Sequence, residues 1–240
     1  MTSLNFKGFP GEAFVFLNEL ESNNNKEWFN ENKQRYVNFL VEPLRALVCD
    51  LGDFMLSVDT ALDTTPAIGK TISRIYKDAR RLRGAPPYRT SMWISFKRPL
   101  EDWKDAPVYF FEIEQNSYTY GMGFYSIKRD TMDKFREFID RSSKRFLETI
   151  SFYGKKNNSF KLFGASYKKL AIPQYPAKII EWYQKKNFHL ACSKKIDQVI
   201  TSSMLIDELI GSFSQLAPLY HYMREVKDEL NAEKPPLFYS

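Results

Sequence analysis

A chain of 240 residues that is 43% hydrophobic and 16% aromatic, with a net charge of +6, has ample material for a core and lacks the composition of a disordered or collagen-like polymer. No run approaches the roughly 20 apolar residues of a bilayer-crossing helix, and the start MTSLNFKGFPGE lacks the charged, apolar, then small-residue order of a secretory signal; a cytoplasmic protein without membrane partners is expected. Two distant cysteines, Cys49 and Cys192, argue against a disulfide framework or zinc site, and two histidines, His189 and His221, against a histidine-rich metal centre.

In chain order, Phe14, Leu17 and Leu20 form one stripe of a first helix over about Gly11 to Glu21. Asn24 with Glu27 three residues on reads as a capping box for a long second helix. Its apolar positions run from Phe29 through Tyr36, Leu40, Leu44, Leu47 and Leu51 to Phe54, and Pro43 should kink or divide it after Glu42. Residues 59–69 read as a loop. Strands are expected over Thr71 to Tyr76 and around Met92, Ile94 and Phe96, followed by a hairpin of Val108 to Glu114 and Tyr118 to Tyr125.

Asp130 is placed to cap a central helix carrying Phe135, Phe138, Ile139, Phe146, Leu147, Ile150 and Tyr153 and ending at Gly154. A helix from Ala177 to Lys186, a short strand through Phe188, Leu190 and Cys192, and a helix from Ser203 to Leu230 bent near Pro218 complete the chain. The fold class expected is α+β: a mostly antiparallel sheet packed with long N-terminal, central and C-terminal helices, as a single globular domain over 1–240.

The positive charge is concentrated. Residues 70–90 carry a net +6 and residues 155–195 a net +9, while the ends, 1–69 and 196–240, carry −5 and −4. The first basic segment holds Arg74, Arg80, Arg81, Arg83 and Arg89, whose planar forks suit carboxylates and phosphates. The second is wholly lysine, as suits a solvated surface.

The segments NNNKEWFNENKQRY, ISRIYKDARRLRGAPPYRTS, YGMGFY and FREFID, in that order, resemble a widespread family of conserved hypothetical microbial proteins, domain of unknown function 2461, from about Phe6 to Val226. The most specific match maps onto Ser73, Arg74, Ile75, Lys77, Asp78, Arg80, Pro87, Tyr88, Arg89 and Thr90. Members usually carry Arg-Phe-Ser-Lys-Asp-Lys between the two parts, where this chain has Arg80 to Pro86 without that acid–base pair. The resemblance implies no activity.

The candidate site is therefore an anion cradle: Arg74, Lys77, Arg80 and Arg89 as cations, the hydroxyls of Ser73, Tyr88 and Thr90 as further donors, and Asp78 orienting one guanidinium. Its alternative is a structural ion-pair network in which Asp78 pins Arg74 or Arg80. Glu112 and Glu114, two apart on a strand, share a face where carboxylates with Asp130 could hold Mg²⁺, although a solvent-facing edge explains them too. Gly121 and Gly123 fit a bulge or a close backbone approach better than a phosphate loop.

Nucleophile elbow, paired-histidine and Walker motifs are absent, so no metal or cofactor is expected and the catalytic residues, if any, are not identified beyond Asp78 or Tyr88 as an acid or base. Three functions stay open. An anionic small molecule held by the arginine segment is preferred; a nucleic acid bound along both basic segments and a non-catalytic interaction protein are the alternatives. The sequence leaves the oligomeric state open.

Overall fold

The computed structural model describes residues 6–78, 84–99, 103–156, 158–170 and 173–233. Helix α1 (Gly11–Ser22) buries Phe14, Leu17 and Leu20 as their spacing requires. The second helix is not one piece. It is divided into α2 (Lys26–Glu31), α3 (Lys33–Tyr36) and α4 (Glu42–Val58), with a π-helical turn, Val37–Val41, between the last two.

Two local expectations change here. Asn25, rather than Asn24, caps α2, its side chain accepting from the Trp28 amide at 3.0 Å. Asn24 is instead spent on the distant Tyr88 backbone, donating to its carbonyl at 3.1 Å and accepting from its amide at 2.9 Å. Pro43 lies in the first turn of α4, and the division falls ahead of Glu42, at the π turn Val37–Val41, not after Glu42. The wider π turn relieves the clash between a proline ring and the carbonyl four residues back.

A five-stranded sheet runs in the order β1 (Met92–Phe96), β2 (Val108–Ile113), β3 (Ser117–Gly123), β5 (His189–Lys195), β4 (Lys161–Phe163). The β1–β2 and β4–β5 pairs are antiparallel, and with the helices they make an α+β fold. Alternation is clean where it positions the site: Met92, Ile94 and Phe96 of β1 and Tyr109, Phe111 and Ile113 of β2 are buried, while Trp93, Ser95, Phe110 and Glu112 are partly exposed on the other face. Strand β4 has three residues inside the lysine-rich stretch, too few for a period to show.

The expected strand over Thr71 to Tyr76 reduces to isolated pairings of Ile72 with Ile94 and Tyr76 with Tyr88. Its backbone changes partner midway. Ser73 donates to Trp93 and Thr71 accepts from Ser95 on β1, whereas Lys77 donates to Pro87 and Ile75 accepts from Arg89, so neither ladder lengthens.

The chain divides into two compact units. The first comprises Met1–Pro99, Tyr109–Tyr120 and Ser193–Ser214; the second comprises Leu100–Val108, Gly121–Cys192 and Gln215–Ser240. The first unit holds α1 to α4, β1 and β2, with a core that includes Phe16, Phe29, Leu44, Leu47, Ile94, Phe111 and Phe213. Helix α8 (Met204–Ala232), with Pro218 inside it, contributes to both.

In the second unit, α5 (Arg129–Arg141) begins without the expected Asp130 cap. Asp105, fully buried in a 3-10 turn, takes that role by accepting from the Lys128 amide at 2.6 Å and the Thr131 hydroxyl at 2.8 Å, and Lys227 donates to the same carboxylate at 2.6 Å. Asp130 is exposed in the first turn. The run expected to reach Tyr153 breaks at Ser142, whose hydroxyl accepts from the Arg145 amide at 3.3 Å and starts α6 (Ser143–Thr149). Phe135, Phe146, Trp182 of α7 (Ala177–Tyr183), Phe188 and Tyr222 pack edge to face within this unit.

Among the described residues no helix is long and apolar enough to cross a membrane.

Candidate functional site

The two halves of the arginine motif lie side by side. Amide-to-carbonyl bonds of 2.9 Å from Lys77 to Pro87 and 2.8 Å from Arg89 to Ile75 hold them in register, and all of these residues belong to the first unit. The pairing of Tyr76 with Tyr88 brings their rings to 5.2 Å on one face, which turns Ile75 and Arg89 to the other.

Two expected site residues are built into the scaffold. The Ser73 hydroxyl accepts from the Trp93 amide at 3.0 Å and donates to the Met92 sulfur at 3.6 Å, and the residue is buried. Tyr88 is 2% exposed, its ring stacked on Phe29 at 4.2 Å; burial, reinforced by Tyr76, raises its phenol above the ordinary value. A fixed phenol of this kind holds its proton at neutral pH and would serve poorly as a base. Lys77, Asp78 and Thr90 are partly exposed, while Arg80, with Arg81 and Arg83, lies outside the described residues.

Arg74 and Arg89 differ from every other arginine among the described residues. Arg35, Arg45, Arg98, Arg129, Arg136, Arg141, Arg145 and Arg224 each pair with a carboxylate. Arg74 and Arg89 form no ion pair with Asp78 or any other described carboxylate. The Arg74 guanidinium lies along Gly69, where an added Cβ would come within 3.2 Å of Nε and Nη2. Gly69 has φ of +85°, so the turn and the close passage both call for glycine. The Arg89 guanidinium sits over the Trp93 ring at 5.0 Å.

Beside Arg89 lies a feature that the sequence reading underrates. The β1–β2 register sets Trp93 opposite Glu112, and the Ser91 hydroxyl donates to Glu112 Oε1 at 2.7 Å. Burial is the largest influence on the Glu112 carboxyl and raises it above its ordinary value, aided by Glu114 and opposed by the Ser91 hydrogen bond and the Arg89 charge. Glu114 accepts from the Ser117 hydroxyl at 2.7 Å. Alternation alone places both glutamates on one face. What alternation cannot supply is the cross-strand register that puts Glu112 against Trp93 and within reach of the Arg89 field.

Elsewhere, lysines of the second basic segment are engaged locally. Lys185 donates to the Gly164 carbonyl at 3.0 Å, Lys186 sits over Tyr167 at 5.1 Å, and Lys194 pairs with Glu208. Gly121 and Gly123 allow the close backbone approach expected of them: an added Cβ would lie 1.9 Å from the Leu190 carbonyl oxygen and 2.4 Å from His189 Cβ. Among the described residues no group of three or more His, Cys, Asp or Glu side chains is placed to hold a metal ion.

The family described as conserved hypothetical protein DUF2461 matches residues 12–222. No curated protein matches the chain.

Proposed function

The chain belongs to the conserved hypothetical protein family DUF2461, and from that premise we propose that it binds a small molecule bearing a carboxylate or phosphate, with Arg89 as the principal contact. Arg74, Lys77 and Thr90 contribute from the same motif, and the buried Ser73 and Tyr88 hold it in shape. The observation that carries this reading is the state of Arg89: over Trp93 and without a carboxylate partner among the described residues. A cation–π contact draws on the charge of a guanidinium without using its N–H donors, whereas an ion pair consumes the fork. A guanidinium held in this way is preorganised for a bidentate anion, with less ordering to be done on binding.

Thermal unfolding tests this directly. At constant ionic strength, carboxylates or inorganic phosphate should raise the melting temperature along a saturating curve, a hundredfold excess over Kd stabilising the fold by about 2.7 kcal/mol. Arg89→Ala should abolish the rise and Arg74→Ala reduce it. Arg45→Ala, which removes a guanidinium already paired with Glu42, should leave it intact. An equal rise in wild type and Arg89→Ala would refute the reading.

A further inference from the structure

The surroundings of Arg89 narrow the ligand class, an argument that rests on the anion-binding reading above. Glu112 and Glu114 each accept a hydrogen bond from a serine hydroxyl, Ser91 and Ser117 respectively. Neither carboxylate forms an ion pair with a cation among the described residues. Arg89 and Glu112 feel one another's charge, yet the guanidinium rests on Trp93 and no salt bridge joins the two. The site thus presents one unpaired fork beside two carboxylates that lack a cation.

That charge pattern is poorly matched to a dianion. Phosphate drawn to Arg89 would meet the negative field of Glu112 and Glu114, and like-charge juxtaposition disfavours such a partner. A ligand carrying both signs meets neither penalty.

We infer that the ligand is zwitterionic, of the α-amino-acid or peptide-terminus class, with its carboxylate on the Arg89 fork and its ammonium on Glu112, Trp93 forming the floor between them. The second oxygen of Glu112 has no hydrogen bond among the described residues and accepts from the ammonium, while Ser91 fixes the first. Glu114 adds negative potential without a required contact.

The experiment is a calorimetric titration of the full chain with a set of aliphatic and aromatic α-amino acids, each paired with the carboxylic acid that lacks its ammonium, and with inorganic phosphate. At least one amino acid should bind wild type at least about tenfold more tightly than its desamino partner and than phosphate. Glu112→Gln, which keeps an acceptor for Ser91, should remove that preference and retain the weaker carboxylate binding; Arg89→Ala should lose both. Desamino acids or phosphate binding wild type as tightly as the amino acids, in an Arg89-dependent manner, would overturn the zwitterion while sparing the anion site. No Arg89-dependent binding of any probe would overturn both.

Discussion

Gly121 occupies a position where a single methyl group decides stability. The Leu190 carbonyl oxygen lies 1.9 Å from where its Cβ would be, and backbone cannot rotate aside as a side chain tip can. Gly121→Ala should cost at least about 2 kcal/mol in urea unfolding. Gly211, exposed in α8 with nothing within 4 Å of its added Cβ, provides the opposite case: Gly211→Ala should stabilise by about 0.5 to 1 kcal/mol. Glu112 gives a pH signature. Its carboxyl is raised chiefly by burial, so the folded chain holds that proton more tightly than the unfolded chain does. Its favourable contribution is complete below the unfolded value, about pH 4, and is lost as pH rises through the folded value. Glu112→Gln, a mimic of the protonated form, should therefore be more stable than wild type at pH 7 to 8, with the difference vanishing toward pH 4. A difference that grows on acidification would contradict this assignment.

Among the elements, the starts of helices show where local sequence gives way to tertiary structure. Asn24 and Asp130 both have the chemistry of a cap, and in each case a competing partner decides: Tyr88 takes the Asn24 side chain, and Asp105 supplies α5 from another segment. Asp105→Asn should cost about 3 to 5 kcal/mol, since a buried carboxylate on which Lys227, Thr131 and the Lys128 amide converge loses its charge. Asp130→Asn, in an exposed first turn, should cost no more than about 0.5 kcal/mol. Chemical denaturation of the two variants separates the cap that residue type suggests from the one that the fold uses. Long periodic helices and the alternating strands β1 and β2 were readable because burial on one face imposes a period on the residues. The break at Ser142 and the π turn before Pro43 were not, because the apolar period runs on across both while a serine cap and a proline ring decide the backbone locally, and the three-residue β4 is too short for a period to form.

At the scale of the whole molecule, charge is the property that links composition to function. Both ends are acidic and the arginine motif is basic, but the described arginines outside that motif are paired, so net charge alone says little about where an anion would dock. Arg74 and Arg89, both within the segment the sequence singles out, are the exceptions among the described arginines. The sequence could not show that Ser73 and Tyr88 point inward, because Thr71, Ile72 and Ser73 are buried at three successive positions, which no period of two marks, and Tyr88 is fixed by stacking on the distant Phe29. Nor could it show Trp93 beneath Arg89, because the segment joining them before β1 has no regular period to fix how the two side chains face. The function proposed for this chain stands or falls on whether the Arg89 fork is available to an anion. The most direct measurement is a nitrogen-15 NMR titration at constant ionic strength, following side-chain N–H signals while a carboxylate is added. The Arg89 Nε–H and Trp93 indole signals should move together along one saturating curve, while those of the paired Arg45 and Arg145 stay in place. Small, linear shifts shared by all the arginines would contradict it.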